Sequence, residues 1–217
     1  MDEFVKRNPN APAGFFACEA AGLRWLSQVE GGVPCARVLG WDAGALTLER
    51  LRPVAPTSDT ARSFGHRLAL THDGGAAGFG SAPDGWDGQG FFGPLHAPLP
   101  MSLNAHHDWG SFCVEERLAP MLERAAAALG PAGSDAVEQV MNRCLAGDFD
   151  DDDQPSRLHG DLWSGNVMWT PAGAVLIDPA AHGGHRETDL AMLAHVALFG
   201  AGYAPQTVAA AHAALVS

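Results

Sequence analysis

Apolar positions along this chain follow two periods. Short apolar or alternating runs occur at Phe4-Val-Lys6, Arg37-Val-Leu39, Ala45-Leu-Thr-Leu-Glu-Arg50, Val167-Met-Trp-Thr170 and residues 174–177. Each is bounded by Gly, Pro, Asn or Asp, and the pattern predicts strands. Turns at Asp42-Ala-Gly44 and Pro171-Ala-Gly173 predict that the second and third runs pair, and that the last two form a hairpin. Helical spacing appears elsewhere. Phe16, Leu23, Leu26 and Val29 predict a helix over 14–29, with Glu19 on the side of Leu23 and Leu26, ended by Gly31-Gly-Val-Pro34. Residues 58–71 predict a second helix with Phe64, Leu68 and His72 on one face. Asp108 is placed to cap a third, in which Trp109, Phe112, Glu116 and Ala119 follow three- and four-residue steps and Pro120 is expected to bend the axis. Further helices are expected over 134–145, over 187–198 as a buried element, and over the Ala-rich 203–217.

Between these elements, residues 74–107 carry many Gly and Pro with Phe79, Trp86, Phe91 and Phe92 interspersed. A connection this long is functional or disordered, and the aromatics predict that it packs on the body beside a substrate pocket. Its glycines do not form a G-x-G-x-x-G phosphate loop.

Composition narrows the function classes. The 217 residues are 47% hydrophobic, enough for a sizeable core, and carry a net charge of −12. That charge argues against nucleic acid and against an anionic membrane surface as partners, because phosphates would meet little compensating charge. No apolar run approaches the roughly 20 residues of a membrane span, and Met1-Asp-Glu-Phe-Val-Lys6 is not a secretory signal. Cys18, Cys35, Cys113 and Cys144 form no Cys-x-x-Cys pair and read as free thiols of a cytoplasmic protein.

The chemistry concentrates in one stretch. His159-Gly-Asp161 is followed by Asn166, and Asp178 ends the second strand of the expected hairpin. A hairpin brings Asn166, before one strand, beside Asp178, after the other. Transfer of a phosphoryl group from ATP needs such a set: one carboxylate to take the acceptor's hydroxyl proton, and an amide and a second carboxylate to hold Mg²⁺. A His-x-Asp turn can also be a simple capping turn, but the full conjunction is much rarer.

His159-Gly-Asp-Leu-Trp-Ser-Gly-Asn166, Ile177-Asp-Pro-Ala180, Gly184-His-Arg-Glu-Thr-Asp-Leu190 and Phe199-Gly200 resemble the fructosamine kinase (ketoamine kinase) family. That family shares the protein-kinase-like fold of aminoglycoside and choline phosphotransferases. The resemblance implies an α+β, two-lobed fold: residues 1–52 as a partial nucleotide-binding β lobe, and 53–217 as a mainly helical lobe bearing the catalytic loop and the hairpin. It implies Asp161 as the catalytic base, Asn166 and Asp178 as Mg²⁺ ligands, Lys6 on the ATP phosphates with Glu19 as its partner, and Glu49 and Leu51 at an adenine-binding hinge. The implied substrate is a sugar hydroxyl of a small-molecule or glycated-amine ketoamine. Asp189 is expected to brace the catalytic loop, and Trp163 to stack on the sugar or join the core. Gly183 stands where the family has an aromatic wall residue. Only five residues precede Lys6 and no Gly-rich loop lies upstream, so the chain is expected to be truncated at both ends relative to the family.

Two other classes stay open from the residues alone. One is a non-catalytic kinase-like nucleotide-binding module. The other is a metal-dependent hydrolase using His159, Asp161, Asp178, His182 and His185, although no His-Glu-x-x-His is present. The acidic run at residues 148–153 reads as a solvated, self-repelling segment without function.

Overall fold

The computed structural model describes residues 2–199. Strands β1 (Glu3–Arg7), β2 (Val38–Trp41) and β3 (Ala45–Glu49) form an antiparallel sheet in the order β1-β3-β2. Helix α1 (Phe15–Leu26) follows β1 and covers this sheet. Its apolar stripe, Phe16, Ala20, Leu23 and Leu26, meets Leu46 and Leu48 of β3 and continues into Leu162, Val167 and Leu176. One core therefore runs beneath both the sheet and the stretch from His159 to Asp178. Burying a side chain such as Leu176 contributes about 1.5–3 kcal/mol, so displacing the hairpin from the sheet is costly.

The hairpin is β7 (Val167–Thr170) and β8 (Gly173–Leu176), with Val167 opposite Leu176 and Thr170 opposite Gly173. The backbone ties it to the segment before β2: Ala36 N–H donates to Leu176 O at 2.9 Å, and Leu176 N–H to Pro34 O at 2.8 Å. Helix α2 (Ser58–Asp73) begins at a capping box between Thr57 and Thr60 and buries Leu68, Thr71 and His72.

The long connection is ordered into a strap. It contains two short strands, β4 (Gly90–Phe92) and β5 (Leu99–Met101), that pair antiparallel. Phe91 packs edge-on against Phe15 with ring centroids 5.5 Å apart, and Asn8 Nδ2 donates to Leu95 O at 2.7 Å. These contacts fasten the strap to the β1–α1 region.

Asp108 caps α3 (Trp109–Phe112), accepting Ser111 N–H at 2.7 Å. A π-helical turn, Cys113–Leu118, then leads into α4 (Ala119–Leu145). Pro120 has no N–H to donate, so the axis widens just before it, and Ala119 N–H reaches back to Val114 O. The two helices expected over 109–122 and 134–145 thus run as one path, broken at Gly130 (φ 66°), ahead of Pro131.

Strands β6 (Ser156–Leu158) and β9 (His182–Gly184) pair on either side of the hairpin in sequence, and α5 (Glu187–Phe199) follows. The opening of α5 is more exposed than expected: Glu187, Thr188, Leu190 and Ala191 face solvent and Asp189 is buried. The helix expected over 203–217 lies outside the described residues.

Candidate active site

Three groups from distant parts of the chain meet at Lys6. Its ammonium donates to Glu19 Oε1 and Oε2 at 2.8 and 2.7 Å and lies 3.1 Å from Asp178 Oδ1. Lys6 and Glu19 are nearly inaccessible, 9% and 8% exposed, whereas Asp178 is 42% exposed. Burial acts to lower the Lys6 pKa, but the charges of Glu19 and Asp178 outweigh it and hold Lys6 above its ordinary value. The sheet presents Lys6, the helix beneath presents Glu19, and the end of β8 presents Asp178.

The catalytic stretch is held by buried hydrogen bonds. Asp189, 1% exposed, accepts His159 N–H at 2.9 Å and Gly160 N–H at 3.0 Å, and lies 3.0 Å from His72 Nε2. Burial would raise the Asp189 carboxyl, yet His72 and His159 bring it below its ordinary value. Asp189 therefore braces the loop as the resemblance implied. His72, which read as a packed helix-end histidine, is one of its partners.

Gly160 has φ 80°, and any Cβ there would strike the Ala180 carbonyl oxygen. Both reasons require glycine between His159 and Asp161.

His159 is fully buried, and burial depresses its pKa, so it is neutral at pH 7. Its Nε2 lies 2.9 Å from Ile177 O and its Nδ1 accepts Asp161 N–H at 3.2 Å. One tautomer, with the proton on Nε2, satisfies both contacts. The ring thus ties Asp161 to the residue preceding Asp178.

Asn166 closes the arrangement. Its Nδ2 donates to Asp161 O at 2.8 Å and Asp161 Oδ2 at 3.1 Å, and its backbone carbonyl accepts Ile177 N–H at 3.1 Å. With the amide nitrogen committed to Asp161, the amide oxygen is left as a ligand atom. Asp178 adopts φ 55°, the only non-glycine described residue with positive φ. Such a conformation costs on the order of 1 kcal/mol and is sustained here by the bonds on either side. Burial raises the Asp161 carboxyl above its ordinary value, opposed by His159 and Asn166.

Two cavities flank Asp161. One, of about 370 Å³, is lined by Lys6, Glu19, Asn166, Asp178, Trp163 and Leu95, among others. The second, of about 670 Å³, is lined by Phe92, Met101, Phe112, Arg117, His182 and Met192, among others. Asp161 and Gly93 line both. Trp163 is 39% exposed, at the mouth rather than in the core.

Of the residues singled out in the sequence, Lys6, Glu19, Asp161, Asn166 and Asp178 share one cavity. Glu49 and Leu51 do not line it. The Glu49 carboxylate accepts Arg37 N–H at 3.0 Å, and Leu51 packs against the core. Oxygen donors from Asn166 and Asp178 suit Mg²⁺, which prefers a few oxygen ligands and retained waters.

The hydrolase alternative does not survive the geometry. His159 has both ring nitrogens engaged, His182 Nδ1 lies 2.8 Å from Ala180 O, and His185 Nε2 lies 3.0 Å from Asp151 Oδ2. Among the described residues these side chains do not converge as a set of potential metal ligands.

In place of the family's aromatic wall residue, Gly183 packs among backbone groups: its N–H donates to Ser81 O at 2.8 Å, its carbonyl accepts Gly80 N–H at 2.6 Å, and a Cβ would strike Gly78 O. Two further readings change. The acidic run is not merely solvated. Asp153 accepts from Arg186 at 2.7 Å and Asp151 contacts His185, which fastens the entry to α5. The strap residues Phe91, Gly93, Pro94 and Leu95, which had no individual role in the sequence reading, line the Lys6 cavity.

Comparison with known proteins resolves the family. The fructosamine kinase family profile matches residues 1–204. The chain belongs to the fructosamine kinase family. Probable ketoamine kinase YniA of Escherichia coli (strain K12) is 32% identical over 203 residues, covering 88% of this chain and 65% of that protein. Probable ketoamine kinase slr1563 of Synechocystis sp. is 34% identical over 193 residues, covering 87% and 62%. The chain therefore spans less than two thirds of the length of these curated relatives. A crystal structure of a candidate fructosamine-3-kinase from Thermobifida fusca YX-ER1 superposes with a TM-score of 0.76 at 39% identity, covering 99% of this chain and 86% of that one. The α+β kinase-like fold read from the catalytic stretch is the fold of this family. All four cysteines are free, and among the described residues no helix is long and apolar enough to cross a membrane.

Proposed function

We propose that the protein is an ATP-dependent small-molecule kinase that phosphorylates a sugar hydroxyl of a ketoamine, a fructosamine or ribulosamine. The observation that carries this reading is the position of Asp161 between the Lys6 cavity and the larger, mostly apolar one. In it the smaller cavity takes the nucleotide phosphates and the larger one takes the acceptor.

Lys6 holds phosphate oxygens, and Glu19 keeps its ammonium in place. Asn166 Oδ1 and the Asp178 carboxylate are the Mg²⁺ ligands. When bound, ATP supplies the transferred phosphoryl group and Mg²⁺ offsets the charge on the phosphates. The free oxygen of Asp161 accepts the acceptor's hydroxyl proton, while Asn166 holds the other oxygen and fixes the carboxylate plane. Residues 1–52 form the nucleotide-binding part and 53–217 the part bearing the catalytic loop. The adenine contacts of Glu49 and Leu51 lie outside the Lys6 cavity and run through the Glu49 carbonyl and the Leu51 main chain, since the Glu49 side chain accepts Arg37 N–H and the Glu49 N–H donates to Arg37 O.

The test is incubation with Mg·ATP and a fructosamine, read as ADP release together with the mass of one added phosphoryl group on the sugar. Absence of both for fructosamines, ribulosamines and their unglycated amines overturns the reading.

A further inference from the structure

The larger cavity is lined by a cation that makes no direct ion pair among the described residues. Arg117 extends from the π-helical turn into its lining. Its Nη1 donates to the Ser102 and Glu116 carbonyl oxygens at 3.1 and 3.0 Å, and its Nη2 is buried with no hydrogen-bond partner among the described residues. Its guanidinium lies over the Phe112 ring at 4.6 Å, and Phe112 in turn packs against His182 with ring centroids 5.8 Å apart.

The adjacent Glu116 carboxylate acts on it through space and opposes the effect of burial, but makes no direct contact with the guanidinium. Glu116 Oε1 is committed to His106 at 2.9 Å and Asn104 at 3.2 Å. Among the described residues Arg117 forms no ion pair with any carboxylate. Burial lowers its pKa to about 10, which still leaves it charged at pH 7. A half-buried cation that lacks a direct ion pair favours a ligand that brings a counter-charge. A guanidinium also matches the planar, bidentate geometry of carboxylate and phosphate. Arg124, exposed, adds a second positive charge to the same cavity, whose other charged lining residues are Glu116, committed to His106 and Asn104, and Asp161, held by Asn166.

We propose that Arg117, with Arg124, forms an anion-binding subsite in the acceptor cavity, and that the preferred acceptor is a ketoamine bearing a carboxylate or phosphate group. This rests on the phosphoryl-transfer reading for the identity of the sugar, but not for the subsite itself. The apolar walls, Phe92, Met101 and Met121, then accommodate the carbon chain between the sugar and the anion.

The experiment compares three fructosamines by calorimetry on the full chain, built on β-alanine, β-alaninamide and phosphoethanolamine. The anionic ligands are expected to bind the parent about 10- to 100-fold more tightly than the amide, the range of a charge-assisted hydrogen-bonded contact. Arg117→Met is expected to bring the three affinities together, and Arg117→Lys to restore part of the preference. The tighter of the two anionic ligands identifies the anion as carboxylate or phosphate. Indistinguishable affinities of all three for the parent overturn the subsite, as does an Arg117→Met variant that keeps the preference. A parent that prefers the anions in binding but transfers no phosphoryl group to any of them contradicts the kinase reading and leaves the subsite standing. A parent that phosphorylates all three with equal affinity does the reverse.

Discussion

Lys6 Nζ lies 3.1 Å from Asp178 Oδ1 while keeping both of its bonds to Glu19. The first strand of the chain is thereby joined to the end of the hairpin through one buried ammonium. The pair Lys6–Glu19 is the inaccessible half of this relay and Asp178 the half open to a ligand.

The relay makes the two ends of the ion pair unequal. Lys6→Met leaves Glu19 buried with no other cation paired to it among the described residues, and is expected to destabilise the protein by about 3–5 kcal/mol. Glu19→Gln leaves Lys6 with Asp178 and is expected to cost less. Denaturant unfolding of both variants checks the order. A larger loss for Glu19→Gln would mean that Asp178 does not share the Lys6 charge.

Acid sensitivity follows from a buried histidine. Burial, aided by the Arg117 charge, lowers the His182 pKa to about 4. The unfolded chain takes up that proton near the ordinary His value of about 6.5, so stability is full above that pH and declines as pH falls toward 4. The contribution is on the order of 3 kcal/mol. His159, depressed by burial in the same direction, adds to it. Unfolding free energy measured from pH 7.5 to pH 4 is expected to fall with a shallower slope in His182→Asn than in the parent. Parallel slopes would show that His182 is not the titrating group.

Asp178→Asn tests the metal ligands. Asn tolerates the positive φ that Asp178 adopts, so the fold is expected to survive and circular dichroism to match the parent. Mg·ATP affinity is expected to fall by at least about tenfold, the equivalent of one lost charged contact. Calorimetry with and without Mg²⁺ separates metal from phosphate contacts, because metal-free nucleotide should bind the two proteins alike.

Local pattern made much of this fold legible. β1, α1, the β2–β3 pair, α2 and the β7–β8 hairpin all follow from short-range periodicity and turn residues, and the fall of Asn166 beside Asp178 follows from the hairpin. Lys6 and Glu19 were legible only as an order of residue types, completed by the catalytic motif. What was not legible depends on contacts distant in sequence. Phe91 meets Phe15 and Asn8 meets Leu95, and no period within 74–107 announces either. His72 gains its role from Asp189, 117 positions away in the sequence. The acidic run changes meaning only once Arg186 and His185 fold back onto it. Arg117 stood inside a helical pattern, and its want of a direct ion pair among the described residues is visible only in the packed cavity.

The central claim is that Asp161 takes a proton from the acceptor and does not hold the nucleotide. The most direct measurement is Asp161→Asn, followed by ADP release with a fructosamine acceptor and by Mg·ATP calorimetry on the same preparations. Turnover is expected to fall by about 10²- to 10⁴-fold, the usual worth of a general base, with nucleotide affinity close to that of the parent. An Asp161→Asn variant that turns over as fast as the parent, or that loses nucleotide affinity in proportion to turnover, would contradict the assignment.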